Sequence, residues 1–389
     1  MKRILVVQNH CVGFGGDDVV VANESAMLVA HGHEVSLWAM RNDEAQGLGG
    51  QIQTAWRLTH NPHAHEQLAK HIARFRPDVV HCHNLFPRVT LAAYEAAAQA
   101  RVPVVQTLHD FRSVCCANGF LYRQGQTCDR CVTGSTYWGA WHRCYRGSWL
   151  GSLLVARSLD VHRRAGTHRR RVHRFIALSE SSRQRFIEAG LPRERLVVKP
   201  NFIADPGSPP PAQARDGALF VGRLSPEKGL VTLAEAWKHL SHPLQVLGAG
   251  PLEPALRAVS TPWMELRGHC GAAEVTQAMR QSRILVMPSE CLEGFPLVIV
   301  EAFANGLPVI ASRLGAMAEI IDDGVTGLLF SPGRADELAA RVAWAMAHPQ
   351  EMAQMGRAAR HRYRERYGAE ANYRQLLQIY EEAVAAAAT

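Results

Sequence analysis

Ala218-Leu219-Phe220-Val221-Gly222-Arg223-Leu224-Ser225-Pro226-Glu227-Lys228-Gly229 runs from a short apolar stretch through a glycine-led polar loop towards a helix. A four-residue apolar run bounded by turn residues reads as a buried strand, and strand–loop–helix order repeated along a chain builds parallel sheets from βαβ units. Outward from this stretch the same order recurs on both sides. Upstream, strands are expected at Arg3–Gln8, Glu34–Ala39, Asp78–Cys82, Pro103–Thr107, Arg174–Leu178 and Leu196–Lys199. Downstream, they are expected at Ala218–Val221, Leu244–Leu247, Met264–Arg267, Ile284–Met287, Pro308–Ala311 and Gly327–Phe330. Helical patterns fill the gaps, as at Leu297–Asn305 and Ala335–Ala347.

Between the two series lies Ala204-Asp205-Pro206-Gly207-Ser208-Pro209-Pro210-Pro211-Ala212. Three consecutive prolines fit neither a helix nor a central strand, so this is a semi-rigid linker. The chain is therefore expected to be α/β, with two Rossmann-like domains facing each other across a cleft at the carboxyl ends of their sheets. The first covers 1–203 with a cysteine-rich insertion at 111–148, the linker covers 204–217, and the second covers 218–370. A closing helix at 371–389 packs back on the first domain.

Length and charge agree with this reading. A chain of 389 residues, 47% of them hydrophobic, suits two cores. No apolar run approaches the roughly 20 residues that span a bilayer. The apolar start Ile4-Leu5-Val6-Val7 turns polar at Gln8, too soon for a signal peptide, so the chain is expected to be soluble and cytoplasmic. The net charge of +8 favours anionic partners. Seven arginines and one acid, Asp160, fall between Arg157 and Arg174. This stretch, read as a long helix over Leu153–Arg174, is either a solvated face or a surface drawn to an anionic membrane, peripherally on its inner face.

Three features of the second half converge on a nucleotide diphosphate. Arg223 and Lys228 leave the loop at the carboxyl end of a strand, where a pyrophosphate needs paired cations; the alternative is two solvated charges. Glu293 and Glu301 lie eight residues apart around Gly294-Phe295-Pro296-Leu297, and a helix starting near Leu297 points free amides at a ligand. Glu301, flanked by Ile, Val, Ala and Phe, needs a partner, which two ribose hydroxyls would supply; the alternative is an ordinary salt bridge. Leu247-Gly248-Ala249-Gly250-Pro251 is a further glycine-rich strand-to-helix turn, weak alone.

Together these motifs resemble glycosyltransferase family 4, retaining enzymes of the GT-B fold. The match rests on the two glutamates with seven residues between them, on Ala302-Phe303-Ala304-Asn305-Gly306-Leu307-Pro308 after them, and on Gly222-Arg223-Leu224 with Lys228-Gly229. The resemblance implies that Arg223 and Lys228 hold the pyrophosphate, Glu301 the ribose, and Glu293 with Gly294–Leu297 the transferred sugar. Gly222 and Gly250 shape the loops around the nucleotide. In the first domain it implies that Gly15 and Gly16 of Gly13-Phe14-Gly15-Gly16-Asp17-Asp18 face donor phosphates and acceptor, although Gly-Gly-Ala-Glu is commoner in the family. It further implies that His109, ending the fourth strand beside Asp110, touches the donor sugar from across the cleft. His81-Cys82-His83-Asn84 ends the third strand in the same way, and the resemblance implies a place for it near the acceptor.

An insertion after His109 carries Cys115, Cys116, Cys128, Cys131 and Cys144. Cys128-Asp129-Arg130-Cys131 is a C-x2-C knuckle, and with Cys116 and Cys144 it suits structural zinc. Some bacterial family members look similar here. An iron–sulfur cluster satisfies the same ligand count, and disulfides or free thiols are the other readings.

The implied activity is retaining transfer of a sugar from a UDP- or GDP-sugar to a glycan or lipid-linked acceptor, in cell-surface polysaccharide biosynthesis. It needs no catalytic divalent metal, because the two cations serve the leaving group. No nucleic acid is expected as a partner. Two rival readings are an NAD-dependent oxidoreductase, for which the first glycine loop lacks G-x-G-x-x-G, and a nucleic-acid-binding protein using the cysteine knuckle and the basic stretch.

Overall fold

A computed structural model describes residues 1–10, 16–42, 47–117, 119–211 and 215–388. The chain divides into two compact units. The first comprises Met1–Leu121, Cys128–Asn201 and Ala369–Thr389; the second comprises Phe202–Gly368 and takes in Tyr122–Thr127.

The strands in chain order are β1 (Arg3–His10), β2 (Glu34–Arg41), β3 (Val79–Cys82), β4 (Val104–Leu108), β5 (Tyr122–Arg123), β6 (Gln126–Thr127), β7 (Arg174–Ala177) and β8 (Leu196–Val198). They continue with β9 (Ala218–Val221), β10 (Leu244–Leu247), β11 (Met264–Gly268), β12 (Ile284–Met287), β13 (Val309–Ser312) and β14 (Gly327–Phe330). The first unit holds a parallel sheet of order β2-β1-β3-β4-β7-β8, and the second a parallel sheet of order β11-β10-β9-β12-β13-β14. Parallel strands covered on both faces are continuous apolar runs, and β3, β4, β12, β13 and β14 are buried along their whole length. All twelve strands of these two sheets fall within two residues of their expected positions.

In the second unit, Phe220, Trp237, Val246, Val286, Ile310, Phe330 and Val342 form one core between sheet and helices. Its linker segment is not loose. Arg360 donates to Asp205 Oδ1 at 2.7 Å, Tyr363 Oη donates to the Ile203 carbonyl at 3.1 Å, and Arg280 donates to the Pro206 carbonyl at 2.7 Å. Ala212, at the end of the linker stretch quoted above, lies outside the described residues.

In the first unit the closing helix, Ala369–Ala388, packs on β3, β4 and β7 and buries Asn372, Leu376, Ile379, Tyr380 and Ala383. The expected long helix over Leu153–Arg174 is broken. A helix spans Trp149–Ala165, capped at its start by Ser148 Oγ accepting from Gly151 N at 3.1 Å. It stops at Gly166, whose φ of 61° is left-handed, and a short helix, Thr167–Arg171, follows. Among the described residues no helix is long and apolar enough to cross a membrane.

Candidate functional site

In the second unit the motif residues gather at the carboxyl ends of β9, β10 and β12. Glycine is demanded there by close backbone approach. A Cβ on Gly248, at φ +147°, would lie 1.8 Å from the Gly222 carbonyl oxygen, and one on Gly229 would lie 1.9 Å from that of Pro288. One on Gly250 would meet the Leu224 carbonyl oxygen at 2.4 Å. The loop after β9 is thereby clamped, with Gly222 N donating to Leu247 O and Leu224 N to Ala249 O, both at 3.0 Å.

Two of the expected side chains meet directly. Lys228 Nζ donates to Glu293 Oε1 at 2.8 Å, and Ser289 Oγ donates to the same oxygen at 2.7 Å. Burial alone would lower the Lys228 ammonium, but the carboxylate of Glu293 outweighs it and holds the group above its ordinary range. Arg223 is exposed and, among the described residues, its guanidinium has no protein partner. The loop thus carries one cation positioned by a carboxylate and one left open.

Helix Leu297–Ala304 begins where expected, with Pro296 at its N-cap and Phe295 buried against Tyr367 at 5.9 Å between ring centroids. Gly294 is buried in the turn before it, and Leu297 is half-buried. Glu301 projects from this helix among buried Ile299, Val300, Ala302 and Phe303. It is half-buried, burial pushes its carboxyl above the ordinary range, and among the described residues that carboxylate has no hydrogen-bond or ion-pair partner. The expected alternative, a structural salt bridge, is not what the side chain makes. A carboxylate held so can accept from two hydroxyls of a ligand.

In the first unit, Gly16 is exposed at the start of helix Gly16–Ala30. Gly15, with Gly13 and Phe14, lies outside the described residues. The two aspartates that follow serve the strand ends. Asp18 accepts from Gln8 Nε2 at 2.6 Å and contacts His10 Nδ1 at 2.6 Å, and Asp17 accepts from Asn84 Nδ2 at 3.1 Å.

His109 lines a cavity of about 120 Å³ at the ends of β3 and β4, together with His83, Tyr94, Gln106 and Leu108. Its hydrogen-bond partner is not the neighbouring Asp110. That carboxylate caps the short turn Phe111–Ser113, accepts from Arg112 N at 2.8 Å and pairs with the Arg112 guanidinium at 3.2 Å. His109 Nε2 lies instead 2.8 Å from His83 Nδ1.

Behind His83 is a buried cluster that the sequence reading missed. Lys199 Nζ donates to Glu24 Oε1 at 2.7 Å and to Asn372 Oδ1 at 3.0 Å, with Lys199 0% and Glu24 2% exposed. Glu24 was detectable, because it falls on the helical face of Val20, Val21, Met27 and Leu28, all buried.

Cys116 and Cys131 meet, but among the described residues no three of the insertion's thiols lie within 4.8 Å of one another. Among the described residues, the one group of three or more His, Cys, Asp or Glu ligand atoms within 4.8 Å of one another is Glu24, His81 and His83. Cys116 and Cys131 belong instead to a small apolar cluster with Leu58, Ala140, Val155 and Ala156, while Cys128 and Cys144 are only half-buried. Cys116 Sγ approaches the Thr136 carbonyl at 3.2 Å, and its hydrogen bond with Cys131, followed by burial, raises its thiol. Asn118, next to these thiols, lies outside the described residues. In the Glu24 cluster most ligand atoms are already committed. Lys199 holds Oε1 of the carboxylate, and both nitrogens of His81 are engaged, Nδ1 by Tyr380 Oη and Nε2 by Thr107 Oγ1, each at 2.8 Å.

Comparison with known proteins assigns both halves. Residues 14–205 match the family model described as Glycosyltransferase Family 4, and residues 215–348 match that described as Glycosyl transferases group 1. The chain is built of two glycosyltransferase domains. It is 31% identical over 157 residues to the D-rhamnosyltransferase WbpZ of Pseudomonas aeruginosa, covering 39% of this chain and 41% of that one. It is 27% identical over 312 residues to the sulfoquinovosyl transferase SQD2 of Arabidopsis thaliana, covering 76% and 54%. Across the first curated relatives, the chain spans between 36% and 54% of their length. The crystal structure of Anabaena HepE in complex with UDP and glucose superposes with a TM-score of 0.68 at 19% identity, covering 97% of this chain and 99% of that one. That likeness shows the GT-B fold. Neither the oxidoreductase nor the nucleic-acid reading finds support in these matches.

Proposed function

We propose that the chain is a retaining glycosyltransferase that moves a sugar from a nucleotide diphosphate sugar, UDP- or GDP-linked, to a glycan or lipid-linked acceptor of cell-surface polysaccharide biosynthesis. The observation that carries this reading is Glu301, a partnerless carboxylate on an apolar helix, a few residues after a glutamate held by Lys228. In this reading Glu301 accepts from the two ribose hydroxyls. Arg223 and Lys228 neutralise the pyrophosphate as it departs, and the free amides at the start of helix Leu297–Ala304 add positive potential. Glu293 and the Gly294–Leu297 turn bind the sugar, and His109 of the first unit contributes an imidazole to it. A leaving phosphate oxygen takes the acceptor's proton on the face it vacates, which gives retention. The protein supplies charge and geometry for that step.

The anionic partner of the basic stretch is read as a membrane surface. Arg157, Arg169, Arg170 and Arg171 are exposed. Arg163 is instead structural, donating to the carbonyls of Gly134 and Cys131 at 2.7 and 2.8 Å.

The test is a thermal-shift panel of UDP, GDP, ADP and TDP, followed by turnover of the corresponding nucleotide sugars. A ligand at 100 times its Kd stabilises by about 2.7 kcal/mol. The complex of HepE with UDP makes UDP the first choice. WbpZ and SQD2 are named for different sugars, so the sugar is assayed and not inferred. A panel without one stabilising nucleotide would overturn the reading.

A further inference from the structure

We propose that Glu24 and His83 form a buried positioning chain that fixes the tautomer of His109, so that His109 offers a bare Nδ1 as hydrogen-bond acceptor to the transferred sugar. The inference rests on the glycosyl-transfer reading of His109.

The chain begins at a buried ion pair. Glu24 Oε1 receives Lys199 Nζ at 2.7 Å. Burial works against the Glu24 anion, but the ammonium of Lys199 outweighs it and holds the carboxyl below its ordinary range. The other oxygen, Oε2, is buried and has no hydrogen-bond partner among the described residues. Two ring nitrogens approach it, His83 Nε2 at 3.7 Å and His81 Nδ1 at 4.0 Å. The His81 nitrogen is already committed to Tyr380 Oη.

At 3.7 Å the attraction of His83 for the carboxylate is coulombic and not a hydrogen bond. Its sign is still decisive. A lone pair on His83 Nε2 would face an unpartnered anionic oxygen, whereas a proton there is attracted to it. A neutral imidazole carries one N–H, so a proton on Nε2 leaves His83 Nδ1 as an acceptor. Its partner at 2.8 Å, His109 Nε2, must then donate, which leaves His109 Nδ1 without a proton.

Both rings are neutral around pH 7. Burial lowers His83 and His109 below the ordinary histidine range, outweighing the acids near them. The charged and titratable groups facing His83 are His81, Glu24, His109 and Lys199. Those facing His109 are Asp17, Glu24, Asp110 and Lys199.

Glu24→Gln reverses the chain. The Lys199 ammonium keeps the amide oxygen, so the NH2 group takes the place of Oε2 and donates towards His83 Nε2. His83 must then carry its proton on Nδ1 and donate to His109 Nε2, and the His109 proton moves to Nδ1. Replacing a buried carboxylate beside a histidine by its amide is known to leave geometry intact while fixing the wrong tautomer. The experiment is nitrogen-15 imidazole NMR of the full chain, with the His109 signals identified by their loss in His109→Ala. It is paired with nucleoside diphosphate release from the nucleotide sugar that the panel selects.

The expected result is reversed tautomers at His83 and His109 and release slowed by about 10²-fold or more. Affinity for the free nucleoside diphosphate should change less than about twofold, since its proposed contacts lie in the second unit. Should Glu24→Gln fail to fold, His83→Leu keeps the Glu24–Lys199 pair, and His109 should then sample both tautomers with release slowed by about 10-fold or more. Unchanged tautomers in folded Glu24→Gln overturn the chain, as does full turnover in either folded variant. A wild type that binds no nucleotide and releases none overturns the transferase reading instead, and the tautomer measurement stands apart from it.

Discussion

Replacing Glu301 by glutamine separates two effects that a structural role would couple. In the free protein the carboxylate sits half-buried on helix Leu297–Ala304 with no partner among the described residues, and burial raises its pKa. An amide of the same shape removes a charge that nothing there compensates. The free protein should therefore hold its stability or gain up to about 1 kcal/mol, the partial exposure keeping the figure small. Bound nucleotide reverses the sign. A hydrogen bond to a charged acceptor contributes about 1.5–3 kcal/mol against roughly 1 for a neutral one, and the amide offers one acceptor oxygen in place of two. The substitution should cost about 1.5–3 kcal/mol of binding, or about 10- to 100-fold in Kd. The pH dependence follows from the raised pKa. Protonated Glu301 is favoured in the folded state, so free-protein stability from this group falls as pH rises through its folded pKa. Nucleotide binding uses the ionised form, so affinity rises over that same interval and binding there releases a proton. Calorimetry in two buffers of different ionisation enthalpy measures both Kd and the proton. Equal nucleotide affinity in wild type and Glu301→Gln, or a less stable free variant, refutes the ribose role.

Arg223→Ala should slow transfer by about 10²-fold while leaving the unfolding midpoint within about 1 °C, since the exposed guanidinium touches no protein group; steady-state release and a thermal melt check both halves. Lys228→Met should slow transfer at least as much and also destabilise the chain by about 1–3 kcal/mol, because Glu293 keeps only Ser289 as a partner; urea unfolding reads the second effect. Gly248→Ala places a methyl 1.8 Å from the Gly222 carbonyl oxygen and should cost at least about 3 kcal/mol, measured by the same unfolding. Vesicle co-sedimentation should rise with anionic lipid and fall with salt, and Arg169, Arg170 and Arg171 changed together to Ser should abolish the rise; equal retention on neutral vesicles would return the stretch to a solvated face.

The strands were legible because a buried parallel strand leaves a mark that survives without any tertiary information. Ile284–Met287 is an unbroken apolar run, Val79–Cys82 is interrupted only by His81, and both have turn residues beyond them. The glycine-rich loops after β9 and β10 were legible for a related reason, since close backbone contacts such as Gly248 against Gly222 admit only glycine. What depended on distant contacts was not legible. Asp110 is the sequence neighbour of His109, yet the hydrogen-bond partner is His83, brought alongside because β3 and β4 are adjacent and pair Cys82 with Gln106. The spacing of Cys128 and Cys131 shows that two thiols can meet, but burial then sorts Cys131 into an apolar cluster and leaves Cys128 half-buried outside it. Gly166 went unnoticed because helix-tolerant residues continue on both sides, and only its left-handed backbone ends the first helix.

The closing helix has a consequence for synthesis on the ribosome. Domains made from continuous stretches fold in the order in which they emerge, the first one first. Here the first sheet is complete once Leu196–Val198 has emerged, yet Lys199 still lacks Asn372, and His81 still lacks Tyr380, until more than 170 further residues have been made. Residues Phe202–Gly368, by contrast, have nearly all of their own unit at hand when Gly368 appears. The later half of the message can therefore yield the earlier finished fold, while the opening half waits with an ammonium and a carboxylate only partly enclosed.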